Sequence, residues 1–335
     1  MRCSLTKNSY FCRRVFAVNL KDILYYQTAF SQLRRNRQNG GAPHKPVLLL
    51  SVLRLCQNGD IRSPYIEPSL LLYHTFKTLW RRLVPTSAPF SPSFYYPFFH
   101  LQNEPFWQLI PVKGQNLPKE VTSLKHLQDC VACAKIDDEL FELLERPLQN
   151  TLLEKHLLEH YFNVSYTAYN QIEVPPLETE LSRPKYIADS NQESPGLVAN
   201  DFEEDRYMRR QLFKVAIPQI YDHTCAISRL RLNSTDRTVS MVDACHIVPF
   251  AESHDDSIGN GIALCPNLHR AFDRGLVAVS DDYTVLVNDN FAEDTSSAFA
   301  LSQFAGQPLK LPYATSFYPD KRNLAAHRAR HGFRQ

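Results

Sequence analysis

Asp243-Ala-Cys-His-Ile-Val-Pro249, Asp255-Asp-Ser-Ile-Gly-Asn-Gly-Ile-Ala-Leu-Cys265 and Asn267-Leu-His-Arg-Ala-Phe-Asp-Arg-Gly275 gather two histidines, several carboxylates and an asparagine into about thirty residues. Val239, Met241 and Val242 give Asp236–His246 strand character. Gly259-Asn-Gly261 is a turn, and Pro266–Asp273 reads as a short helix. Leu276–Ser280 and Tyr283–Val287 read as a hairpin across Asp281-Asp282. The order is therefore strand, loop, helix, strand. Hydrolysis of a phosphodiester needs a base to activate water, a divalent cation to stabilise developing charge and a group to fix the base. His246, Asn260 and His269 are the candidates for these roles.

The stretch resembles the HNH, or ββα-metal, nuclease motif in the version found in McrA-type restriction endonucleases. Asn260 follows His246 by 14 residues and His269 follows Asn260 by 9, the separation of that family. The words His-Ile-Val-Pro, Asn-Gly-Ile-Ala-Leu-Cys and Leu-His-Arg-Ala-Phe-Asp-Arg-Gly match as well. The resemblance implies that His246 is the general base, that Asn260 holds the loop and orients it, and that His269 ligates Mg²⁺ or Mn²⁺. Many such sites keep an aspartate or histidine ligand immediately before the base, where this chain has Cys245. Two acids compete for the second ligand position. Asp243 stands where McrA-type patterns commonly carry an acid, but on a regular strand it faces away from His246. Asp273, four residues after His269, shares its helical face. Relatives of the motif often hold a structural zinc with two Cys-x-x-Cys pairs. Here Ser228 follows Cys225 and Leu268 follows Cys265 at the paired positions, so no structural zinc is expected. Cys130 and Cys133 read as buried thiols.

Outside this stretch, charge divides the chain. Residues 1–130 carry 17 Lys+Arg against 6 Asp+Glu, a net of +11, and residues 131–210 carry 8 against 16, a net of −8, although the whole 335-residue chain is only +2. A basic first half points to a polyanionic partner. Scattered cysteines and the lack of an apolar leader core point to a reduced, cytoplasmic setting. The longest apolar run, Val47–Leu50 with its flanks, is broken at Arg54, so no membrane partner is expected. Pro46–Leu55, Glu67–Leu83 and Asp137–His160, the last interrupted at Pro147, have helical apolar spacing. Phe94–Ile110 is aromatic and turn-rich, as short strands joined by loops would be. Asp201–Tyr221 reads as an amphipathic helix capped by Asp201 and ended or bent at Pro218. Lys321–His331 is a basic, helix-like segment that either holds a duplex or forms a soluble tail. The expected fold class is α+β: a mainly helical recognition domain over 1–165 with a small β element, a Pro- and Glu-rich linker over 166–200, and a nuclease domain over 201–335.

The first half contains Arg34-Arg-Asn-Arg37, Gly41-Ala-Pro-His-Lys-Pro-Val-Leu-Leu-Leu50, Tyr95-Tyr-Pro-Phe-Phe-His-Leu101 and Phe106-Trp-Gln-Leu109. Together these words resemble the sulfur-binding domain of phosphorothioate-dependent restriction endonucleases over roughly residues 20–160. The resemblance implies double-stranded DNA as partner, with sulfur replacing a non-bridging phosphate oxygen. Sulfur is larger and less hydrated than oxygen, so an apolar wall ringed by cations would prefer it. Tyr96 and Pro97 are the candidate wall, and Arg34, Arg35, Arg37, His44, Lys45 and His100 are the candidate surround. Phe98, Phe99 and Trp107 read as core. Three readings compete: a phosphorothioate-directed endonuclease, an HNH nuclease reading another modification or plain sequence, and a DNA-binding protein that no longer cuts. One such site nicks one strand, so a double-strand break implies a pair of chains.

Overall fold

The computed structural model describes residues 21–182, 198–234, 240–297 and 299–333, arranged as two compact units that divide between Val174 and Pro175. Cys3, Cys12 and Val239 lie outside the described residues. The fold is α+β, with seven short strands among the described residues.

In unit 1 the central element is α2 (His44–Gln57), preceded by α1 (Ile23–Ser31). Every α2 residue from Lys45 to Cys56 is buried, as a helix apolar on most sides requires. After β1 (Tyr65–Ile66) comes α3 (Leu70–Leu83). It begins later than Glu67 because the Ser69 side chain accepts from the Leu72 N–H and caps it. The expectation of strands over Phe94–Ile110 is half corrected: α4 (Tyr95–His100) occupies the first part, and only β2 (Trp107–Pro111) is extended. Phe94, Phe98 and Leu101 are fully buried, and that spacing of four and three suits a helix whatever the β propensity of aromatics.

Next come α5 (Leu124–Cys130), β3 (Val131–Ile136), α6 (Asp138–Leu144), α7 (Pro147–Tyr161) and α8 (Tyr166–Asn170). Pro147 opens α7 at a position where its missing N–H has no intrahelical partner to lose. The antiparallel sheet runs β1-β3-β2, with Leu109 opposite Ala134. Buried Asn150 ties three helices by donating to the carbonyls of Leu53 (3.0 Å) and Leu144 (2.9 Å). Cys130 ends α5 and Cys133 lies on β3; both are half-buried.

Parts of the expected linker are folded. Tyr169 of α8 is fully buried in unit 1, and Leu181 of α9 (Leu177–Ser182) belongs to the core of unit 2. Pro184, Pro195 and Gly196 lie outside the described residues. The long helix α10 (Val198–Ile220) starts before Asp201, which is therefore an internal residue and not its cap. Pro218 sits in its last turn. Met208, Leu212, Phe213, Ala216, Ile217 and Ile220 form the buried side of α10, while Val215 is exposed.

Against α10 pack β4 (Asp243–His246) and β5 (Gly261–Leu264), paired antiparallel with His246 opposite Gly261. A Cβ at Gly261 would lie 2.3 Å from Ile217 Cδ1, so the close approach of α10 requires glycine there. The short α11 (Phe250–Ser253) follows β4. Helix α12 (Pro266–Asp273) and the hairpin of β6 (Val277–Val279) and β7 (Val285–Val287) complete the expected order. The basic C-terminal segment is α13 (Lys321–Arg330), and it is part of the core rather than a tail. The His327 ring stacks on Phe272 at 3.7 Å, and buried Arg328 donates to the Val279 carbonyl at 2.7 Å. Among the described residues, no helix is long and apolar enough to cross a membrane.

Candidate active site

Strand β4 presents residues alternately to its two faces, and this divides the site. On one face, the His246 ring lies parallel to Phe213 of α10, with centroids 4.0 Å apart and 6° between planes. Its Nε2 is 2.9 Å from Oδ1 of Asp256, which is almost completely buried, while His246 keeps a quarter of its side chain exposed. An Nε2–H donated to this carboxylate leaves Nδ1 as the unprotonated nitrogen. Phe250 approaches the same imidazole, with centroids at 5.9 Å.

Asn260, fully buried, holds the loop between the strands. Its Oδ1 accepts from the Val248 N–H (2.8 Å), and its Nδ2 donates to the carbonyls of Val248 (2.9 Å) and Asp255 (2.9 Å). The structure thus gives Asn260 the expected loop contacts, but the group in contact with the imidazole is Asp256. Sequence reasoning quoted Asp256 without a role. The available signal was an acid inside the His–Asn interval beside Asp255, whose own carboxylate takes the Ser257 N–H at 3.0 Å.

On the other face of β4, Asp243 and Cys245 meet α12. Asp243 Oδ2 lies 3.8 Å from His269 Nδ1, and Asp273 Oδ2 lies 3.5 Å from His269 Nε2. One imidazole presents one nitrogen to a given cation, so the two acids sit on different sides of the ring and do not compete for one position. Cys245, His269 and Asp273 place donor atoms within 4.8 Å of one another. Ligands about 2.1 Å from a common cation stand roughly 3 to 4 Å apart, so the Nε2–Asp273 pair fits a divalent ion. Complete burial, then the neighbouring Asp273 and Asp243 carboxylates, push the Cys245 thiol well above its ordinary range. Sulfur is a soft donor that a hard cation such as Mg²⁺ disfavours, and the Cys245 S–H points to Asp273 Oδ1 at 3.8 Å. Asp243 and Asp273 are equally half exposed, and what separates them is the nitrogen each faces: Asp273 lies at Nε2 in the cluster with Cys245, and Asp243 lies at Nδ1.

Helix α13 braces this loop from outside. The Asp320 N–H and the Asn323 side-chain amide both donate to the Gly259 carbonyl, at 2.8 and 3.2 Å. At the start of α12 Cys225, Ser228 and Cys265 converge: the Ser228 N–H reaches Cys225 Sγ at 3.5 Å, and Ser228 Oγ is 3.8 Å from Cys265 Sγ. The hydrogen bond from Cys265 holds the Cys225 thiol below its ordinary value.

Residues 225–280 match the family model described as HNH endonuclease. This segment is an HNH endonuclease domain. The two-strand and helix geometry carrying His246, Asn260 and His269 falls wholly within it. Solved structures similar to the chain include the modification dependent TagI restriction endonuclease, 22% identical, covering 35% of this chain and 36% of that one, with a TM-score of 0.28. The Type IV phosphorothioation-dependent restriction endonuclease ScoMcrA is 13% identical, covering 73% of this chain and 94% of that one, with a TM-score of 0.33. No curated protein matches the chain.

In unit 1 the structure separates the candidate contacts. Lys45, buried, is ion-paired to Glu104 at 2.5 Å, and the same carboxylate oxygen accepts the Arg34 backbone N–H at 2.9 Å. His44 points the other way: its ring is 4.6 Å from Trp80, its Nε2 is 2.7 Å from the Ser91 carbonyl, and burial lowers its pKa to about 4. Pro97 is buried with Phe98 and Phe99. Lys45 and Pro97 therefore take interior places, where sequence reading had put them at a surface, and His44 is half-buried with its Nε2 already engaged. The physical reason is that Lys45 sits on the packed side of α2 and Pro97 on that of α4. Tyr96 remains exposed and meets the His100 ring at 4.1 Å, tilted by 52°. Arg35 lies over Tyr161 at 4.5 Å, whereas Arg34 and Arg37 are exposed. Arg34 also lines a groove of about 580 Å³ with Tyr25, Gln32, Gln102, Asn103 and Glu104.

Proposed function

We propose that this chain is a modification-dependent DNA endonuclease, in which unit 1 recognises phosphorothioated double-stranded DNA and the HNH domain hydrolyses a phosphodiester bond. The observation that carries the nuclease chemistry is the His246–Asp256 pair on one face of β4, with the His269–Asp273 pair on the other. His246 Nδ1 takes the proton of the attacking water while Asp256 fixes the ring and stabilises the imidazolium that forms. Asn260 keeps the loop between them in register. His269 and Asp273 hold Mg²⁺ or Mn²⁺, with Cys245 orienting the Asp273 carboxylate. When bound, the cation supplies charge stabilisation at the scissile phosphate and the leaving 3′ oxygen. A pair of chains, each nicking one strand, would make a double-strand break.

Recognition is assigned to Arg34, Arg37, Tyr96 and His100, the members of the sequence-selected set that keep accessible side chains or a ring face. A second reading has a specific observation in its favour. With Pro97 buried, Lys45 paired and Tyr96 covered on one side by His100, unit 1 suits another DNA modification or a plain sequence as well as sulfur. Matched phosphorothioated and unmodified plasmids in Mg²⁺ or Mn²⁺ separate the two. Cleavage of the sulfur-bearing plasmid alone supports the first reading, and equal cleavage of both overturns it while leaving the nuclease intact.

A further inference from the structure

Helix α10 precedes the HNH match, yet it supplies the ring on which His246 rests. Beside that ring, along an exposed border of the helix, stand Arg206, Arg210 and Lys214, spaced four residues apart. Such spacing aligns them along one helical face over about 12 Å. Among the described residues none of the three has a carboxylate ion-pair partner. The middle one is anchored: the Arg210 guanidinium lies 4.4 Å over the Phe250 ring, and Phe250 in turn faces His246. A merely solvated helix face would give the exposure, but it would not lead a cation through one aromatic ring to the candidate base. Nearby Arg209, one turn before Phe213, has a buried guanidinium nitrogen without a hydrogen-bond partner. Each observation places cationic donors in want of an anion beside the site.

We propose that Arg206, Arg210 and Lys214 form a phosphate-binding rail that seats one DNA strand against His246. Successive phosphates on a strand advance about 3.4 Å along the duplex axis, so a row of about 12 Å spans some three of them. Arg210, held over the Phe250 ring, contacts the phosphate next to the scissile one, and Arg206 and Lys214 grip the strand on either side. The inference rests on the nuclease reading of the same site, and its test separates the two.

Binding of the full chain to a short fluorescent duplex is measured against salt in a His246→Ala background, which prevents cutting. Replacing all three rail residues by alanine should flatten the slope of log K against log salt by about 2.7, about 0.9 per lost phosphate contact. Arg210→Lys should keep the slope, because the charge survives. An unchanged slope in the triple variant overturns the rail, whether or not the protein cuts DNA. A flattened slope in a chain whose wild type cleaves no DNA leaves the rail standing and removes the nuclease reading. In the active chain, single-turnover cleavage of pre-bound DNA should slow about tenfold or more with Arg210→Ala and less with Arg206→Ala or Lys214→Ala. Wild-type rates with Arg210→Ala would overturn its place beside the scissile phosphate.

Discussion

His246 and His44 come from equally distinctive words, Asp-Ala-Cys-His and Ala-Pro-His-Lys, and, although both are half-buried, end with different partners. His246 leans one face on Phe213, gives one nitrogen to Asp256 and keeps part of its side chain in solvent. His44 lies between Trp80 and Phe90, has its Nε2 against a backbone carbonyl, and is held neutral by burial. Lys45 repeats the lesson, because its charge is spent on Glu104 inside unit 1. A titratable side chain can serve chemistry only where packing leaves it an open side. The HNH domain leaves one at the end of a short strand, whereas the matching words of unit 1 mostly build its core.

The largest way to break this comparison is to cut the interior pair of unit 1. Lys45→Ala strands the Glu104 carboxylate and should cost about 3 kcal/mol or more in urea unfolding, against almost nothing for a surface phosphate ligand. A stability change under about 0.5 kcal/mol would return Lys45 to the DNA surface.

Acid should act on both units. Burial lowers His44 in unit 1 and His327 in unit 2 to about 4. The unfolded chain takes up protons below about 6.5 that the folded chain refuses until about 4. Stability is therefore complete above about 6.5 and lost as pH falls through that window, by at most about 3 kcal/mol for each residue. His327→Gln should remove the share of unit 2, and an unaltered pH profile in that variant would contradict its buried, neutral state.

A smaller effect sharpens the HNH side. Gly261→Ala drives a methyl against Ile217 and Phe213, which should cost about 1 to 3 kcal/mol and displace the ring under His246. Activity should fall with stability, and Gly261→Ala with wild-type cleavage would show that the Phe213 stack is idle. The smallest difference concerns the cation. Mn²⁺ affinity, followed by electron paramagnetic resonance, should drop about tenfold or more with Asp273→Ala and change little with Asp243→Ala. The reverse order would restore Asp243 as ligand.

Much of the HNH domain was legible because the constraint is local: a strand, a tight Asn-Gly turn and Pro266–Asp273 lie within one stretch, and the helix has the expected ends. Asp256 was missed because nothing in spacing distinguishes a buried acid from its half-buried neighbour Asp255; only the fold brings it to the imidazole. Helix α13 was read as helix-like, but its packing into the core was missed for a similar reason. Its contacts with Gly259 and Phe272 join residues more than fifty positions apart, and a run as basic as Lys321–Arg330 hides the buried side formed by Leu324, His327 and Arg328. In unit 1, helices α2, α3 and α7 follow apolar spacing closely. The Tyr95–His100 helix does not, since aromatic content alone favours neither state and the burial of Phe94 and Phe98 decides it.

Nicking of a supercoiled phosphorothioated plasmid in Mg²⁺ or Mn²⁺, compared between the wild-type chain and His246→Ala, tests the central claim most directly. The account predicts metal-dependent nicking that falls by about 10²- to 10⁴-fold in the variant, with DNA binding retained. Equal nicking by the two proteins would contradict it.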